Sequence, residues 1–222
     1  MIPKFEENLQ IIKEKIKNIG DGLVNANKLL LDAIQTCDDS KFSEAKSHIK
    51  NISSKADDID NNIIKVLALY TPEARDLRQV IAYLKITNEL SRACSNTRSF
   101  IRGFTDVCKE IEVKTLNEYA VPMQISTVKA VELSINMINI DDEDEICEIY
   151  NDVLIEENKT DDLYEMVERN LVVQANDSQH SDSFEKFHKM LRALRKSAKI
   201  SSRAISIANL LVYAKIGGNF HN

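Results

Sequence analysis

The chain has no tryptophan, only 5 glycines and 3 prolines in 222 residues, and aromatic side chains make up 6% of it. So little turn-forming sequence leaves room for few reversals of the backbone and favours long helices, in keeping with the abundance of Ile, Leu, Ala, Lys and Glu. No uninterrupted apolar run approaches the roughly 18–20 residues needed to span a bilayer, and the N-terminal stretch Met1-Ile-Pro-Lys-Phe-Glu-Glu-Asn8 turns polar at once, so a soluble, cytoplasmic protein is expected. Positive charge is also short: net charge is −6 with a pI near 5.4, which speaks against nucleic acid as a partner. Cys37, Cys94, Cys108 and Cys147 show no CxxC spacing. They read as free thiols, without a zinc site or a disulfide framework. Glycine-rich phosphate loops and Gly-x-Ser-x-Gly turns are missing, so no enzyme is expected. Glu185 and His188 form a single Glu-x-x-His with no second copy, so His188 reads as a surface or capping residue, and His48, His180 and His221 have no ligating spacing.

What is present is helical periodicity. Phe5, Leu9, Ile12, Ile16, Ile19, Leu23, Ala26, Leu30 and Ala33 alternate steps of four and three, the stripe of a long bundle helix. After Cys37-Asp-Asp-Ser40 the stripe resumes at Phe42, Ala45, Ile49, Ile52, Ala56, Ile59, Ile63 and Val66, which predicts a second helix. Thr71 as N-cap and Pro72 in the first turn predict a third, running to Cys108. Three further helices follow at about 116–138, 144–173 and 183–216, the last two separated by a polar linker at 175–181. The expected fold is all-α, two tandem three-helix bundles of long antiparallel helices, residues 1–110 and 111–222. An internal duplication is consistent with Ile59-Asp-Asn-Asn-Ile63 lying over Thr160-Asp-Asp-Leu-Tyr164.

The stretch Pro72-Glu-Ala-Arg-Asp-Leu-Arg-Gln-Val-Ile-Ala-Tyr-Leu-Lys-Ile86 resembles the PhoU family of phosphate-uptake regulators. There a proline, a small residue and Asp-Leu-Arg lead into an apolar helix that carries a Glu-Arg-Ile-Gly-Asp signature further on. The resemblance implies a non-enzymatic adaptor between a phosphate ABC transporter and a membrane sensor kinase, coupling transport to repression of the phosphate-starvation response. It also implies acidic i, i+4 pairs that hold iron or zinc clusters. The matching positions here are Ala56 and Asp60, Ser91 and Ser95 around Arg92, Glu157 and Asp161, and Ala198 and Ser202 around Lys199. Serine hydroxyls and alanine methyls cannot balance a multinuclear cluster, so the family's metal cofactor is expected to be absent. Glu157 and Asp161 remain a candidate pair for a single ion, with a solvated acidic face as the plainer reading. Asp76, Arg78, Arg92 and Lys199 match the family's charged positions and are candidates for partner or anion binding; for Asp76 and Arg78 an ion pair tying down the third helix is the structural alternative.

Charge is unevenly placed. Between Asp141 and Glu168 thirteen Asp and Glu face one lysine, whereas Glu185 to Arg203 holds seven Lys and Arg against one Glu. Mutual neutralisation of two consecutive helices is the economical expectation. The functional alternative is that Arg192, Arg195, Lys196, Lys199 and Arg203 dock an acidic partner or anionic lipid, with the protein peripheral to the membrane at most. Two other functions stay open: a metal-dependent helical protein using Glu157, Asp161 and Asp60, and a helical scaffold, such as a homodimer, with an unrelated partner.

Overall fold

The computed structural model describes residues 2–175 and 181–217, so residues 176–180 of the expected linker, His180 and His221 lie outside the described residues. Every described element is helical. Helix α1 spans Ile2–Thr36, and all nine positions of its apolar stripe are buried, from Phe5 to Ala33. Helices α2 (Asp39–His48) and α3 (Ile52–Tyr70) occupy the place of the single second helix expected from sequence. The stripe continues through both, with Phe42, Ile49, Ile52, Ile59 and Ile63 all buried, so apolar spacing alone could not reveal the break.

The break has a local cause. Asn51 adopts the left-handed conformation at φ 56°, tolerated better by Asn than by most side chains. The α2 terminus then lies against α1 where Gly22 has no side chain, since a Cβ there would stand 2.7 Å from the His48 carbonyl oxygen. Arg98 donates from Nη1 to the Ile49 carbonyl at 3.4 Å, placing positive charge at the carbonyl end of α2.

Helix α4 runs from Ala74 to Cys108, two residues later than Thr71 and Pro72 predict. Thr71 is left-handed, at φ 41°, and closes α3 rather than capping α4. A single turn, α5 (Val113–Thr115), passes through a widened π turn at Leu116–Ala120 into α6 (Val121–Asn136). The widening sits directly before Pro122, whose ring would clash with the carbonyl four residues back in a regular helix. A 3₁₀ turn at Met137–Asn139 ends it. Helices α7 (Glu143–Ala175) and α8 (Ser181–Lys215) complete the chain.

Counting α2 with α3, and α5 with α6, the six long helices make the all-α, two-times-three plan. The most extensive contact between helices is that of α4 with α8, the third helix of each half. Gly103 faces Ala193, a Cβ on the glycine lying 3.7 Å from the alanine methyl, and Arg203 meets Glu89 at 2.9 Å, which fixes an antiparallel register. Both apolar clusters of the core draw on both halves: one joins Ile16, Leu90, Val131 and Leu211, the other Leu30, Phe104, Met123 and Leu194. Asn27, Thr97, Gln124, Thr127 and Ser197 are nevertheless also buried where the helices meet.

The free-thiol reading is corrected. Cys37 and Cys108 form a disulfide across 71 residues of sequence, joining the ends of α1 and α4; Cys94 and Cys147 are free. In an up-down-up bundle the first and third helices end at the same side, which is the reason two cysteines without motif spacing come together.

Candidate functional site

Along α8, Leu191, Leu194, Ser197 and Ile200 are buried, and the residues between them, Arg192, Arg195, Lys196 and Lys199, are exposed or half-buried. They form one wall of a groove of about 800 Å³ whose other wall is α4 with Ser99, Arg102, Asp106 and Glu110. The floor is formed where Gly103 and Ala193 bring the two helices close.

Most of the positive charge in the groove is unpaired, although Asp106 and Glu110 also line it and Lys189 there is held by Glu185 at 2.9 Å. Among the described residues, Arg102, Arg192, Arg195, Lys196 and Lys199 take part in no ion pair, although elsewhere lysines are matched, as in Lys15 with Asp58 at 2.6 Å and Lys28 with Glu132 at 2.5 Å. The expected neutralisation of α8 by α7 is not what these residues show. Glu156 instead takes Lys159 of its own helix at 2.8 Å and Lys129 of α6 at 3.8 Å, and Glu165 takes Arg169. The far end of α8 is tied to the start of α7 by Lys215 and Asp141, whose carboxyl is thereby held below the usual range. The physical reason is helical phase: the α8 cations point over α4, and much of the acidic face of α7 points to solvent.

Of the residues singled out from sequence, the groove gathers Arg192, Arg195, Lys196 and Lys199. Arg203 is drawn aside by Glu89, and Arg92 is exposed on α4 without lining the groove. Asp76 and Arg78 do not pair; residues two apart on a helix do not face one another. Asp76 lines a separate hollow with Phe5, Tyr70 and Gln79. The Arg78 guanidinium lies on Gly217, whose φ is 80° and whose Cβ, if it had one, would stand 2.6 Å from Nη1. Arg102, Ser99 and the small-residue floor were not singled out from sequence; a glycine inside a long helix was the available signal.

The residues do not fit the family's metal clusters. Among the described residues no three His, Cys, Asp or Glu side chains converge. Asp60 is raised above its ordinary value by burial and then by Asp57, and its Oδ1 is buried without a hydrogen-bond partner. Glu157 is raised by burial and by Asp161, and Asp161 by burial and then Asp162 and Glu165. Ala198 packs half-buried against the apolar core, where a ligand would be required. The lone Glu-x-x-His is a surface feature: His188 is exposed, 6.1 Å from the Phe184 ring, and Glu185 pairs with Lys189 at 2.9 Å. No helix of the described residues is long and apolar enough to cross a membrane.

Comparison with known proteins agrees with this architecture. Residues 16–100 match the model of the PhoU domain. No curated protein matches the chain in sequence. Among solved structures, PhoU from Pseudomonas aeruginosa is 20% identical, with a TM-score of 0.83 over 96% of this chain and 100% of that one. The phosphate transport system regulatory protein PhoU from Streptococcus pneumoniae is 15% identical, with a TM-score of 0.78 over 96% and 98%. A PhoU-like protein from Shewanella oneidensis MR-1 is 17% identical, with a TM-score of 0.60 over 90% and 95%. Residues 16–100 thus match the PhoU domain in sequence, and the PhoU fold extends over nearly the whole chain.

Proposed function

We propose that this protein is a non-enzymatic, PhoU-like regulator of phosphate uptake and phosphate-starvation signalling. It is a cytoplasmic adaptor between a phosphate ABC transporter and a sensor kinase, and it works without a resident metal cluster. The observation that carries the reading is the row Arg192, Arg195, Lys196 and Lys199, four cations that line a groove and take part in no ion pair in a chain of net charge −6. A cationic face held open on an acidic molecule is suited to an acidic partner surface, and its attraction falls as salt screens it. Regulation then follows from differential affinity: a partner shifts the protein's conformational balance only as far as it binds one arrangement better than another.

The test is affinity purification of the tagged protein from gently solubilised, phosphate-replete cells at low and high salt. Recovery of a phosphate-transporter ATPase or a membrane sensor kinase, lost at high salt and lost in an Arg195→Gln, Lys199→Gln variant, is the expected result. Recovery of neither, with the protein running as a self-associated species, overturns the adaptor reading.

A further inference from the structure

The ligand chemistry of the groove between α4 and α8 follows from what its walls offer. Arg192, Arg195, Lys196 and Lys199 on one side and Arg102 on the other bring five cations without ion pairs onto a single cavity of about 800 Å³, beside Lys189, which Glu185 holds. Adjacent like charges repel, so five cations without ion pairs weaken the helices that carry them, and the two carboxylates of the lining, Asp106 and Glu110, leave the row from Arg192 to Lys199 open to an anion. From residue 192 to residue 199 the row extends about 10 Å at the helical rise of ~1.5 Å per residue. One orthophosphate reaches only part of such a row. A chain of linked phosphoryl groups, or two held on one headgroup, runs along it.

The floor decides between a hydrophilic anion and a docked protein helix. A helix seated in a groove is anchored by large apolar or aromatic side chains entering apolar pockets. Here the floor is Gly103, Ala193 and Val107, and no aromatic residue lines the cavity. The lining instead supplies three guanidinium groups, which match phosphoryl oxygens two at a time, and the Ser99 hydroxyl. Asp106 and Glu110, beyond Arg102 toward the end of α4, repel an anion there and bound the cationic part of the groove.

We propose that the α4–α8 groove is a binding site for a polyanion with two or more phosphoryl groups, either a soluble oligophosphate or a phosphorylated lipid headgroup. The site stands without the adaptor reading. Its consequence rests on that reading: an occupied groove withholds the α8 cations from an acidic partner, so ligand and partner compete.

The experiment is isothermal titration calorimetry of the purified full chain with sodium tripolyphosphate and with sodium orthophosphate. Alongside it, the protein is cosedimented with phosphatidylcholine vesicles with and without cardiolipin. Saturable one-to-one binding of tripolyphosphate is expected, with orthophosphate weaker by about tenfold or more, because fewer charge-assisted hydrogen bonds form. Arg192→Gln with Lys196→Gln is expected to weaken tripolyphosphate by about tenfold or more. Lys65→Gln with Lys85→Gln, which removes equal charge outside the groove, leaves binding unchanged. Circular dichroism verifies that both variants remain helical. Cardiolipin-dependent sedimentation with the same variant dependence, in the absence of tripolyphosphate binding, supports the phosphoryl site and assigns its source to the membrane. Absence of both, or equal loss in the two double variants, overturns it. Tripolyphosphate binding by a protein that captures neither transporter nor kinase overturns the adaptor reading alone.

Discussion

The side-chain amide of Gln124 donates to both the backbone carbonyl and the side-chain oxygen of Asn27, each at 3.2 Å, across the boundary between the two halves. Ser197 of α8 donates to Gln124 Oε1 at 2.9 Å and lies 3.0 Å from the Thr127 hydroxyl, and Asn27 Nδ2 is 3.5 Å from Thr97 Oγ1. Four helices, α1, α4, α6 and α8, therefore meet in one buried polar network. Its members are satisfied by one another and, for Asn27, Thr97 and Thr127, by carbonyls of their own helices, so removing Gln124 strands its partners in a medium that cannot solvate them.

Replacing Gln124 with Met keeps the volume and removes both hydrogen-bonding ends. The expected loss is about 2–3 kcal/mol, the cost of leaving Asn27 and Ser197 under-satisfied, read as a lower midpoint in urea unfolding. An unchanged midpoint would show that the network contributes no net stability.

Two glycines inside helices are expected to answer oppositely to alanine. In Gly22→Ala the new methyl meets the His48 carbonyl at 2.7 Å, a backbone atom that cannot rotate away, so about 1–3 kcal/mol should be lost. In Gly103→Ala the nearest atom is the Ala193 methyl at 3.7 Å, ordinary contact, and the gain in helix propensity of up to about 1 kcal/mol should dominate. Paired thermal melts of the two variants decide it.

The Cys37–Cys108 bridge predicts two reactive thiols in the denatured, unreduced protein, those of Cys94 and Cys147, and four after reduction. In the folded protein Cys94 should react slowly, because burial pushes its thiol up to about 12. Cys37→Ser opens a loop spanning 71 residues and should cost about 4 kcal/mol on the chain-entropy estimate. Thiol titration and denaturant unfolding check these outcomes.

Glu157 is held above its ordinary value of 4.5 by burial and by Asp161. The folded state thus binds this proton more tightly than the unfolded chain does. Its contribution is complete below the unfolded value and is lost as pH rises through the folded one. Glu157→Gln should therefore make the protein more stable near neutral pH, by less than about 1 kcal/mol after solvent screening, with the advantage fading below about pH 4. A variant less stable than the parent at neutral pH, with added divalent cation stabilising the parent and not the variant, would mark this carboxylate as a ligand.

The helical plan was legible because α1 obeys one rule from end to end: each residue of its apolar stripe is buried. The break at Asn51 was not, since Ile49 and Ile52 keep the stripe intact on both sides and the signal is a backbone angle rather than a hydropathy. Of the five α8 cations singled out from their spacing, four line the groove. Arg203 belongs to the same periodicity and is nevertheless diverted, because the residue facing it, Glu89, comes from another helix. The network around Gln124 was hidden for the same reason: polar residues in an apolar register look like interruptions until their partners from other helices are known. The disulfide was readable only once topology had placed the ends of α1 and α4 together.

The two walls of the groove belong to different halves of the molecule, and Gly103 meets Ala193 at its floor. Any occupant that touches both walls therefore acts as a gauge block: its fit reports how far α8 has slid or rolled against α4, displacements too small to alter either half by itself.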